Sequence, residues 1–297
     1  MGGTLKTVVT RRIPHLVVHR TIHFTSATLP LAYFNPAATL LATITGNRRR
    51  AMATKVQIPG LNRVLTNADM ERSRQLYNIL PSDEVQPNVE PILEQLAEIF
   101  VRNNAETFFG VHLIHGHLQI PEKSVLFGDN TVPRCRWTKP TRMDSLKLDS
   151  LHGHNFVLTD EGFHPYEYHS GQLPGLSQVE DGFITELASF LHANQLGGII
   201  ALEVLDMPLP ETMMELVLGE YGTVMMEPER LRGCKPFRQT GWAFVREDGK
   251  PRVGKDGKQH HVTGPNGHII IVEPPKNSEI ETCSDALHIL REHGLLN

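Results

Sequence analysis

Residues 108–128 read F-F-G-V-H-L-I-H-G-H-L-Q-I-P-E-K-S-V-L-F-G. Phe, Val, Ile and Leu dominate and Pro121 divides the run, so a strand is expected over 108–120 and a shorter one over 124–127. Side chains alternate along a strand, which sets His115 and His117 on one face, with Gly116 between them, and His112 on the other. Two imidazoles held in this way can share a metal ion or divide acid and base work. His115 and His117 are therefore the candidate catalytic residues.

Working outward from this run, Asn67 or Thr66 can cap a helix that reaches about Tyr77, favoured by Asp69 and Glu71 in its first turn. Ile92, Leu93, Leu96, Ile99 and Phe100 recur at helical spacing in a second helix over 90–103. A third is expected from Asp181 or Gly182 to Asn194, ended by Gly197-Gly198, with further helices over 211–218 and 284–293. Strands are expected over 156–158, 163–169, 199–205, 223–226, 239–246 and 269–272, with a glycine- and charge-rich loop pair over 247–267 that carries His260 and His261 into solvent. Helices and strands alternate without the rhythm of a doubly wound sheet. The expected class is α+β, a mixed and mainly antiparallel sheet with flanking helices, in one domain over residues 60–297 and without an internal repeat.

No carboxylate precedes Asp69. Of the 29 Lys and Arg residues nine lie before it, which leaves 20 against 33 carboxylates, a balance of −13 for the rest of the chain. So acidic a body repels phosphate backbones, and nucleic acid is not an expected partner. Residues 1–51, rich in Arg, Thr and Ser, have the composition of a mitochondrial transit peptide. They are expected to be a disordered leader, which implies a mitochondrial location, or a mis-called start upstream of Met52, which implies a cytoplasmic one. The uncharged run 24–46 is diluted by Pro30, Asn35 and Pro36, so no membrane span is expected. Cys135, Cys234 and Cys283 are far apart and suggest neither a disulfide framework nor a cysteine zinc site.

Seven of the 16 histidines fall between His112 and His169: those two with His115, His117, His152, His154 and His164. His152-Gly153-His154 repeats the H-G-H spelling of the first run, and His154 could reach across from a loop as a third ligand. Zn, Fe and Mn all accept imidazole nitrogen, so a divalent metal is the expected cofactor and its identity stays open. Elsewhere, Glu203 and Asp206 are carboxylates near the end of a buried strand. The basic stretch Arg134, Arg136, Lys139 and Arg142 reads as a solvated loop or as a holder for an anionic substrate group. GxSxG, P-loop, GxGxxG and HExxH motifs are absent.

Residues 110–128 resemble the first metal motif of the cupin family, in which a glycine precedes an HxH pair, a glutamate and a second glycine; the family's second motif is not found. The resemblance implies His115, His117 and Glu122 as metal ligands. The run Leu113-Ile114-His115-Gly116-His117 with Glu122, Val125 and Leu126 also resembles fungal proteins of unassigned function that carry an LxHxH strand, which implies a shared fold and no stated activity. Two functions are expected as alternatives. One is an enzyme with a metal or acid-base site at His115 and His117, joined by Glu122 and His154, acting on a small molecule by hydrolysis, lyase or oxygenase chemistry. The other is an interaction domain with structural histidines.

Overall fold

The structure is a computed structural model that describes residues 56–82, 88–173, 175–264, 270–275 and 278–297; the expected leader, the run 24–46 and Ile269 lie outside them. The described residues belong to one compact unit, Ala53–Asn297. Among them no helix is long and apolar enough to cross a membrane.

Among the described residues four α-helices form where capping and periodicity place them: α1 (Asn67–Tyr77), α2 (Glu90–Arg102), α3 (Phe183–Ala193) and α4 (Cys283–Glu292). α1 and α4 share a start signal. Thr66 and Thr282 each accept from the backbone N–H three residues on, while Asp69 and Asp285 reach back to the capping residue's N–H, at 2.8 and 2.9 Å. This reciprocal box satisfies two amides that the first helical turn leaves without partners.

The described residues contain twelve strands, β1 (Phe109–Leu113), β2 (Ser124–Asp129), β3 (Cys135–Arg142), β4 (Leu151–Thr159), β5 (Gly162–Ser170), β6 (Ile200–Val204), β7 (Thr212–Val217), β8 (Thr223–Met226), β9 (Lys235–Trp242), β10 (Phe244–Glu247), β11 (Lys250–Val253) and β12 (Lys258–Thr263). Ten of them close into a barrel in the order β1-β6-β4-β5-β2-β3-β8-β7-β12-β9, and β10 and β11 form a separate hairpin. β2 pairs with β5, and β7 with β12, in parallel; the remaining barrel pairs are antiparallel.

The mixed, mainly antiparallel sheet with flanking helices is thus present, and its closure is the feature that no local pattern announces. Three local expectations change with it. The strand expected over 108–120 stops at Leu113, so His115 and His117 occupy the loop beyond it. Residues 211–218, expected to be helical, form β7: Met214 and Leu216 pack outward while Glu215 turns inward, and pairing with β8 and β12 overrides the helix-forming composition. Arg136, Lys139 and Arg142 of the basic stretch lie on strand β3 rather than in a loop, while Arg134 precedes the strand.

Barrel polarity follows from what covers the outside. Phe109, Val111 and Leu113 of β1, with Leu202 and Val204 of β6, pack in one apolar cluster with Leu96 and Phe100 of α2 and Phe183 and Leu187 of α3. Trp137, Leu216, Val224 and Met226 pack with Cys283, Ala286 and Leu290 of α4 in a second, and Met70 of α1 lies with Val125 and Tyr168 in a third. Strand alternation then sends the residues between them inward: His112, Arg136, Glu167, Glu203, Glu215, Gln259 and His261. The core lies between helices and sheet, and the barrel encloses polar groups.

Strand order also reveals an internal repeat that the residues do not spell out. Exchanging β1 with β6, β2 with β7, β3 with β8, β4 with β9 and β5 with β12 returns the same ring. Each half begins with a helix leading into its first strand. Hydrogen bonds obey the exchange as well: Ile114 N donates to Ile199 O at 2.8 Å and Leu205 N to Phe108 O at 2.9 Å.

Gly222 joins β7 to β8 at φ +102°, and a β-carbon there would overlap the Thr138 carbonyl oxygen on the neighbouring strand. Replacement by alanine combines left-handed strain with a backbone clash, for an expected loss of about 3 kcal/mol or more. Urea denaturation of Gly222→Ala against the parent measures it.

Candidate metal centre

After β1 the chain leaves the sheet through a short loop whose backbone is tied at each step. Gly116 N donates to Pro81 O at 3.0 Å and His117 N to the Tyr77 hydroxyl at 3.2 Å, so the end of α1 holds the loop. His115 Nδ1 donates to Leu113 O at 2.7 Å, which fixes the tautomer and leaves Nε2 bare. From across the barrel come Glu215 on β7 and His261 on β12, directly opposite each other in the parallel ladder.

Four donor atoms converge. His261 Nε2 lies 3.1 Å from His115 Nε2 and 3.0 Å from Glu215 Oε2, His115 Nε2 is 3.9 Å from the same oxygen, and His117 Nε2 is 3.5 Å from Glu215 Oε1. A tetrahedral ion bound at about 2.0–2.2 Å separates its ligands by about 3.3–3.5 Å, which is the scale of these gaps. His115, His261 and Glu215 are buried and His117 nearly so. The group could hold a metal ion.

Burial pushes the His115 imidazole down to about 3, so it is neutral near pH 7, the state in which it ligates. Burial works to raise Glu215, but the imidazoles of His117, His115 and His261 outweigh it and hold the carboxyl well below its usual range. His115 Nε2, which carries no proton, lies 3.9 Å from that carboxylate, and a cation between the two acceptors would remove the cost of facing them away from water.

The structure places the residues expected from sequence in three locations. His115 and His117 join this centre, though from a loop and not a strand. Glu122 is exposed and lies outside the group; Glu215 takes the carboxylate's place. His154, on β4 and not in a loop, belongs to a second buried cluster with Glu167, His169, Glu203 and Asp206. His164 contacts Asp69 O at 3.0 Å and His288 pairs with Glu292 on the surface, so neither takes part. Sequence reading missed Glu215, hidden in a segment that looked helical, and His261, only 2% exposed although it borders a charged hairpin. The alternation Gln259, His261 in a run of Val and Thr was the available signal.

A cavity of about 30 Å³, lined by His112, His115, His117, Arg136, Glu167 and Glu215 among others, opens beside the centre. Both ring nitrogens of His112 and the Arg136 Nε lack hydrogen-bond partners there. Four carboxylates, Glu167, Glu203, Asp206 and Glu215, face one guanidinium, Arg136. Burial and Arg136 oppose a proton on His154, but Asp206 and Glu203 outweigh them and lift its pKa to about 9. Arg136 Nη1 donates to His154 Nε2 at 2.7 Å, a contact that needs a bare nitrogen, so the ring takes a second proton only if that contact breaks. Even with that proton the enclosed charge is negative, which favours cations inside the barrel.

His112, His115 and His169 are lowered by burial, and Glu203 and Glu215 are held low by their imidazole neighbours against the opposing effect of burial. In each case the unfolded chain binds the proton more readily. The histidine contributions are present above about pH 6.5 and fade below it, the carboxylate ones below about 4.5. His154 alone works the other way. The metal-stripped protein should therefore lose stability from pH 7.5 to 5, by about 1.4 kcal/mol per pH unit for each extra proton taken up on unfolding. Urea midpoints across that range in the presence of a chelator measure it, and a midpoint that rises toward pH 5 would contradict the assignment.

No family model, no curated protein and no solved structure matches the chain, so its functional reading is built from this geometry.

Proposed function

We propose that the chain is a metal-dependent enzyme acting on a small organic molecule, with His115, His117, Glu215 and His261 as the ligands. One observation carries this reading: three imidazole nitrogens and one carboxylate approach to ligand-to-ligand distances inside a closed barrel, with the His115 tautomer already set by Leu113 O. An imidazole fixed through its other nitrogen is the usual outer support of a metal ligand. A divalent ion bound there would supply Lewis-acid polarisation of a substrate oxygen.

The remaining chemistry belongs to the chain. His112, neutral because burial lowers its pKa, lines the same cavity and can take or return a proton at a ring nitrogen that no other group engages. Arg136 offers its Nε–H to an oxygen of the substrate, which fits an anionic or carbonyl-bearing molecule. The small cavity admits only a small reacting group, and Tyr77 and Leu118 close part of its wall against water.

Metal analysis of the untagged full chain tests the reading. The parent should retain zinc, manganese or iron after desalting, and His115→Ala, His261→Ala and Glu215→Gln should each lose one equivalent while circular dichroism stays unchanged. Glu122→Ala, outside the centre, should bind as the parent does. Retention of that equivalent by all three ligand variants removes the centre. His112→Gln should keep the metal and lower turnover of small ester or carbonyl substrates by about 10²–10⁴-fold; unchanged turnover removes His112 from the mechanism.

A further inference from the structure

The internal repeat relates the proposed centre to a particular place in the other half of the barrel. His115 is the second residue after β1 and Asp206 the second after β6. His261 stands opposite Glu215 in the parallel β7–β12 pair, and His169 stands opposite Gly128 in the parallel β5–β2 pair. The related position therefore contains Asp206, His169 and, where the first centre has Glu215, a glycine. A β-carbon on Gly128 would overlap the His169 ring at Nε2, so the ring lies over the glycine in the space where a side chain would begin. His152, from β4, completes the group.

From this arrangement we infer a second divalent-cation site, formed by Asp206, His152 Nε2 and His169 Nδ1. The inference goes beyond the first centre and does not depend on it. His152 Nδ1 contacts Gly171 O at 3.2 Å, which places its proton on that side and leaves Nε2 bare, 2.9 Å from Asp206 Oδ2. On His169, Nδ1 lies 2.5 Å from the same oxygen, while Nε2 faces Glu167 Oε1 at 3.4 Å and has no closer partner. Without a metal the Nδ1–H donates to Asp206; a divalent cation would displace that proton, with Glu167 placed to accept from Nε2.

Two imidazole nitrogens thus aim at one carboxylate oxygen, in a place where His152, His169 and the Asp206 side chain are all shielded from solvent. The three donor atoms lie within 4.8 Å of one another, close enough to share one ion. Gly171 O and Glu167 serve the two imidazoles as Leu113 O serves His115, and Glu167 is itself held by Thr138 at 3.1 Å and Asn155 at 3.0 Å. Asp206 Oδ1, buried and without a hydrogen-bond partner, is available to the same ion. Two imidazoles and a carboxylate suit a first-row divalent ion, with coordination positions left for water or substrate.

Cobalt(II) titration of the chelator-stripped full chain, followed by absorption and by bound cobalt after desalting, tests the inference. The parent should bind two ions per chain. Asp206→Asn and His152→Gln should each bind one, that of the first centre; Glu215→Gln should also bind one, that of the second. Circular dichroism of each variant checks the fold, and the parent stoichiometry stands whether or not any variant folds. One ion per chain in the parent, abolished by Glu215→Gln and kept by Asp206→Asn, overturns the second site and leaves the proposed function intact. One ion per chain in the parent, kept by Glu215→Gln and abolished by Asp206→Asn, supports the second site and overturns the first. No bound ion in the parent overturns both.

Discussion

The contact of Glu215 with the imidazoles of His261, His115 and His117 is the constraint around which the barrel interior is arranged. A carboxylate only 6% exposed is tolerated where charge or hydrogen bonds replace the water it has lost. Here the carboxylate on strand β7 finds that replacement in two other chain segments, so that three are involved: the loop after β1, strand β7 and strand β12. None of the three is adjacent to the others in sequence, so the carboxylate is stable only if the ring closes with β7 beside β12 and the β1 loop folds over the end. The Tyr77 hydroxyl and Pro81 O extend this requirement to the end of α1, since they hold His117 and Gly116 in place.

Helix packing and interior chemistry are two consequences of one alternation. β1 gives Phe109, Val111 and Leu113 to α2 and α3 and therefore has His112 left for the inside; β6 gives Leu202 and Val204 outward and leaves Glu203. A small barrel is ordinarily filled by apolar side chains. With its apolar surface already buried outside against four helices, this one stays folded while enclosing charged groups. Gln259 donating to Glu203 at 2.5 Å, and Asn155 and Thr138 donating to Glu167, show the same need met by neutral donors.

Legibility in the sequence divided along physical lines. Helix starts were readable because capping is local: Thr66 with Asp69 and the periodic Leu93, Leu96, Ile99 and Phe100 needed no tertiary information. β7 was misread because Met-Met-Glu-Leu-Val has helix-forming composition and becomes a strand only through partners far away in the chain. The expectation for His115 and His117 held in part: their rings do lie together, yet they meet because the loop turns and not because strand alternation aligns them. Glu122 was implied by the cupin resemblance, whereas the carboxylate that faces the imidazoles arrives across the barrel, about 100 residues later. Long-range register of this kind has no signature in a single sequence.

The repeat is hidden in the sequence for a related reason, and its asymmetry lies in the side chains that the two halves carry at related positions. Position by position the halves keep topology and hydrogen bonding but exchange chemistry: His115 for Asp206, Glu215 for Gly128, while His261 and His169 remain alike. A glutamate on β2 opposite His169 would need the volume that the His169 ring fills, so the first half cannot copy the second without moving that ring. With Gly128 present, the ring turns between Asp206 and Glu167 and takes a different set of neighbours from those of His261. The glycine in place of a carboxylate thus distinguishes two side-chain clusters built on the same frame, one rich in imidazole and one around Asp206.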